Sequence, residues 1–116
     1  MAGTLQVNER AAWTPAGWIF NNVLERVAAR IENDDAVLAE KVLDALGPSP
    51  GHLDLCASPA DRLQLIARAT EEVRRRAADA GSQAFHDVAF YEPYMAELQT
   101  LLQLLNADPR CGSTAD

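Results

Sequence analysis

The 116-residue chain is 48% hydrophobic and 23% charged, the values of an ordinary globular domain with one core and far from the polar composition of a disordered chain. Seventeen carboxylates against ten Lys and Arg give a formal charge of −7, a field that repels phosphate backbones and anionic headgroups and favours basic partners. No apolar run reaches the roughly 20 residues that span a bilayer, and polar Gln6, Asn8 and Glu9 stand where a signal peptide needs an apolar core, so the sequence reads as cytoplasmic.

Residues 1–13 are of mixed polarity and read as a lead segment. Thr14-Pro15 then reads as a helix start, the hydroxyl placed to accept an early amide and the proline ring holding the first helical φ. Phe20, Leu24, Val27 and Ile31, with Ile19 and Val23 alongside, recur at spacings of three and four, the stripe of an amphipathic helix. Asn33-Asp34-Asp35 interrupts it with turn-forming residues. A second helix follows over Asp35 to Leu46, with Val37, Leu38, Val42, Leu43 and Leu46 apolar and Gly47-Pro48 as its stop.

Residues 47–58 are rich in Pro, Gly and Ser and read as the one substantial internal loop. Within it His52-Leu53-Asp54-Leu55-Cys56 alternates, so in an extended conformation the two leucines face one side and pin the loop to the core. Ser58-Pro59-Ala60-Asp61 opens a third helix, in which Leu63, Ile66, Thr70, Val73 and Ala77 form a stripe ending at Gly81. Phe85, Val88 and Ala89 suggest a short helix that breaks before Pro93. Pro93 starts the last one, where Tyr94, Leu98, Leu101 and Leu105 share a line widened by Met95 and Leu102. The expectation is an all-α fold, a single-domain bundle of four to five helices over residues 14–106, up-and-down or orthogonal, followed by a mobile tail over 107–116.

Few residues suggest chemistry. His52, Asp54 and Cys56 are the residue types of cysteine catalysis, but at i, i+2 and i+4 of an extended segment they point in parallel rather than converge. With His86 the only other histidine, and neither HExxH nor ExxH present, the sequence calls for no metal and no cofactor. Cys56 and Cys111 have no CxxC spacing and read as free thiols. Arg74-Arg75-Arg76 is met by Glu71, Glu72 and Asp79 at pairing distance along the helix, and the loop over 47–58 is too long for a helix-turn-helix, so nucleic acid is not expected.

What remains is surface. Acidic Glu32, Asp34, Asp35, Glu40 and Asp44 gather around the first helical hairpin, and Glu40 and Asp44 are like charges at i, i+4, an arrangement that a basic partner would relieve. Asp87, Phe90, Tyr91 and Glu92 combine aromatic rings with acids, the composition of an interface hot spot. These nine residues are the expected partner-binding set. Trp13 and Trp18 flank the first helix and read as caps on the bundle. The function expected is non-enzymatic: an acidic module that blocks the site of a basic protein partner, of the immunity-protein or antitoxin kind, in a bacterium whose Arg-over-Lys skew suggests a GC-rich genome. The alternatives are a self-associating adaptor that dimerises through its leucine-rich final helix, and a small enzyme or ligand carrier using His52 or His86.

Overall fold

Thr4-Leu5-Gln6-Val7-Asn8 alternates polar and apolar residues, and in the computed structural model, which describes residues 3–46, 51–81 and 88–112, it forms strand β1 (Thr4–Asn8). Glu9 and Arg10 turn the chain into antiparallel β2 (Ala11–Trp13), helped by the Asn8 side-chain oxygen, which accepts from the Arg10 amide at 2.8 Å. A bulge separates the Gln6–Ala12 and Asn8–Ala11 pairs. Helices α1 (Gly17–Ile31) and α2 (Ala36–Asp44) return the chain to β3 (His52–Asp54), which pairs parallel to β1 with Leu5 opposite Leu53. The sheet order is β2-β1-β3.

This sheet overturns the expected all-α helical bundle: the described residues are about 68% helix and 12% strand, and the class is α/β. The physical reason lies in the alternation. Leu5, Val7, Trp13, Leu53 and Leu55 are buried on one face, while Gln6, Ala12, His52 and Asp54 occupy the other, so each short strand contributes half its side chains to the core. The leucines of 52–56 do pin their segment inward, by pairing it as a strand on β1, and the Leu55 amide continues the ladder to the Gln6 carbonyl at 2.8 Å.

Helix α1 starts at Gly17, two residues beyond the Thr14-Pro15 signal, because Trp13 is held in the sheet; its indole N–H donates to the Glu97 carbonyl at 3.0 Å. The Phe20, Leu24, Val27 and Ile31 stripe faces α2 and α3. Phe20 also fills the space that glycine leaves at positions 3 and 51: a Cβ on Gly3 would overlap its ring, and one on Gly51 would lie 2.7 Å from it. Asp35 caps α2 by accepting from the Leu38 amide at 3.0 Å.

Helix α3 (Ala60–Ala80) buries Leu63, Ile66, Thr70 and Val73 and ends at Gly81, whose φ of 69° suits glycine. Helix α4 (Val88–Ala107) runs unbroken through Pro93, where a break was expected; residues 82–87, including Phe85 and His86, lie outside the described ones. Pro93 sits near the helix start, and the burial of Tyr94, Leu98, Leu101 and Leu105 behind it offsets the roughly 3 kcal/mol of an interior proline. A last turn, α5 (Pro109–Gly112), packs on α3 and α4. No helix among the described residues is long and apolar enough to cross a membrane.

Candidate functional site

Trp18 stands about 200° around α1 from Phe20, opposite the buried stripe. It lies against α4 instead. Its ring meets Phe90 edge-on at 5.3 Å between centroids and stacks on Tyr94 at 6.1 Å with 18° between planes. Tyr94 is buried, and its hydroxyl donates to the Asn22 side-chain oxygen at 2.8 Å, one turn beyond Trp18 on α1. Burial pushes the Tyr94 phenol above its usual value, opposed by the nearby Arg26 cation, so it remains a neutral donor at physiological pH. The same Asn22 oxygen accepts from Arg26 Nε at 2.9 Å. Trp18 is therefore supported from beneath by Tyr94, yet it remains 42% and its neighbour Phe90 45% exposed. Rigid, water-facing aromatic surface on a folded support is the composition of a contact hot spot.

The acids expected to bind a partner fall into separate settings. Glu32 is exposed at the C-terminal cap of α1, and Glu25, Glu32 and Trp18 share one outward stripe at seven-residue intervals. Asp34 lines a shallow groove with Arg30, Arg68 and Glu72. Asp35 is engaged internally, as the α2 cap and as the partner of Arg62 at 3.1 Å. Glu40 and Asp44 are exposed on α2, bracketed by Val37, 67% exposed, and Leu43, 45% exposed. Tyr91 is half-buried and Glu92 exposed on α4, close in sequence to Phe90, whereas Asp87 lies outside the described residues. Of the expected set, Phe90 is part of the aromatic face, through its contact with Trp18.

Trp18, Asn22, Tyr94 and Glu25 were not in that set. The available signal was Trp18 itself, a large apolar residue off the apolar stripe of its own helix.

The arginine run is paired differently from the spacing rule. Glu71 holds Arg74 at i, i+3, and Glu72 reaches across to Arg30 of α1 at 2.9 Å, a contact between helices that sequence spacing does not show.

At the turn between β1 and β2, an open cleft of about 370 Å³ is lined by Asn8, Glu9, Arg10, Cys56, Asp108 and Pro109. Its polar walls serve the fold. Asp108, 3% exposed, accepts from Asn8 at 2.8 Å and from Arg110 on both oxygens, at 2.8 and 3.0 Å, which holds its carboxyl well below the usual range. Arg110 also donates to the carbonyls of Val7, Leu55 and Ser58 at 2.7, 2.8 and 2.7 Å, tying the C-terminal turn to β1 and to the segment after β3.

Asp54 accepts from the Cys56 amide at 2.9 Å and from its thiol, which pushes the thiol up and lowers the carboxyl. That direction is opposite to thiolate activation. His52 and Asp54 stand exposed on β3, and among the described residues no group of three or more His, Cys, Asp or Glu is placed to hold a metal ion. Comparison with family models, curated proteins and solved structures found no match to this chain.

Proposed function

We propose that the chain is a non-enzymatic protein-binding module that recognises a basic partner protein through the aromatic face shared by α1 and α4. The observation that carries the reading is the Trp18–Phe90 pair, each residue more than two-fifths exposed, with Trp18 stacked on a Tyr94 that Asn22 anchors. A net charge of −7 supports the basic character of the partner and steers its approach. Contact between copies through the final helix would not use its leucine line, since Leu98, Leu101 and Leu105 are already covered within one chain. The reading takes the chain to be cytoplasmic, with Cys56 and Cys111 kept as thiols.

The test is a pull-down from lysate of the source organism with the wild-type chain and a Trp18→Ala/Phe90→Ala variant of unchanged melting temperature. A stoichiometric partner retained by the first and lost by the second is the expected result. Equal retention by both refutes this face as the binding site. In its finer form the module inhibits that partner, which an activity assay of the captured protein with and without the module decides.

A further inference from the structure

Seven residues of helix rise about 10 Å, so the outward stripe of α1 runs about 21 Å from Trp18 through Glu25 to Glu32, with aromatic surface at one end and two carboxylates along its length. Among the described residues, neither Glu25 nor Glu32 forms an ion pair. Of the basic residues of the same helix, Arg30 turns to Glu72 on α3, while exposed Arg26 donates to Asn22 beside Tyr94, at the aromatic end of the stripe. The stripe therefore presents apolar surface at one end and two carboxylates without an ion pair, among the described residues, along one side of α1.

Building on the binding role proposed above, we infer that its occupant is a basic amphipathic helix of the partner protein, laid along α1 with apolar residues on Trp18 and Phe90 and cations opposite Glu25 and Glu32. The choice of a helix follows from the backbone. The amides and carbonyls of α1 are spent within the helix, so this face offers side chains only, and the occupant must satisfy its own backbone hydrogen bonds. A helix does so, and its own seven-residue repeat matches the spacing of the carboxylates. A second copy of this chain would instead set the acidic stripe against itself, in a protein already carrying −7. The same charge opposes a nucleic acid or an anionic membrane.

The probe is a fluorescein-labelled Leu/Lys peptide of about 21 residues with its leucines on one helical face, compared with a scrambled peptide of equal composition. Binding to the full chain is read by anisotropy at about 50 and 200 mM salt. Trp18→Ala is expected to weaken binding about tenfold. Reversal of charge in Glu25→Lys/Glu32→Lys is expected to weaken it about tenfold at low salt and to flatten its salt dependence. Glu40→Lys/Asp44→Lys, the same charge change on α2, is expected to cost less than about threefold. All four acidic positions are exposed, so circular dichroism should show every variant folded.

Equal binding of the scrambled peptide, or equal losses from the α1 and α2 reversals, would overturn the inference by reducing the attraction to net charge. The two levels separate on the natural partner. If that partner needs Trp18 but is indifferent to Glu25 and Glu32, the binding role stands and the basic helix is refuted; if it needs none of them, both fall.

Discussion

Replacing Arg110 with Met keeps most of the aliphatic stem and removes the guanidinium, which donates to three carbonyls within 2.8 Å and to both oxygens of Asp108. Asp108 would be left as a carboxylate 3% exposed, with Asn8 as its remaining side-chain donor. Breaking a buried charge pair from one side costs about 3 to 5 kcal/mol, and the lower end applies because Arg110 keeps 21% of its side-chain surface in water. Urea unfolding at pH 7 should therefore show a loss of about 3 kcal/mol, a midpoint shift of about 2 M for a slope near 1.5 kcal/mol per M. Asp108→Asn/Arg110→Met removes the stranded charge and should recover about 1 to 2 kcal/mol of it.

The pH dependence gives a second reading of the same pair. With its folded pKa depressed, Asp108 contributes stability above its unfolded value near 3.9 and loses it as pH falls toward the folded one. In the Arg110→Met variant burial without a cation raises that carboxyl, so acid protonates it sooner in the folded state. The gap between wild type and variant should thus narrow from pH 7 to pH 4 and below. A loss under 1 kcal/mol at pH 7, with a gap independent of pH, would refute the description of Arg110 as the tie between the C-terminal turn and the sheet.

Gly3→Ala places a methyl group in the Phe20 ring and should cost about 2 kcal/mol in the same urea assay; an unchanged midpoint would contradict the close approach of β1 to α1. Asp35→Ala removes the α2 cap and the Arg62 pair, and should lower stability by about 1 kcal/mol and the melting temperature by about 4 °C. Asp54→Asn removes the charge that holds the Cys56 thiol up, and alkylation of Cys56 by iodoacetamide at pH 8, followed by mass spectrometry, should accelerate about threefold. A slower reaction would mean that the carboxylate activates the thiol.

The helices were legible because each carries a long repeat of buried residues and most carry punctuation. Asp35 caps α2, Gly81 closes α3, and the Tyr94 to Leu105 line is buried as its spacing implies. The sheet was harder to see for reasons of length. Strands of three to five residues give only one or two alternations, and the alternation at 52–56 has no meaning as a strand until β1 is present to pair with it. Thr4 to Asn8 did carry the pattern, ending in the turn-forming Asn8, and it passed as a lead segment.

The aromatic face was half legible. Phe90 could be read from its neighbours, whereas its contact with Trp18 joins residues 72 positions apart in sequence. The ties made by Arg110, to residues up to 103 positions away, leave no trace in local composition, where Asp108-Pro109 and Gly112-Ser113 suggest only a tail.

The most direct test of the central claim is site-specific photocrosslinking in the source cell, with a photoreactive phenylalanine analogue in place of Trp18 and, as control, in place of exposed Asp79 on α3. A single crosslinked species from position 18, containing a basic protein and absent from the control, is the predicted result. No crosslink from position 18, or the same products from both positions, would contradict the assignment of this face as the binding surface.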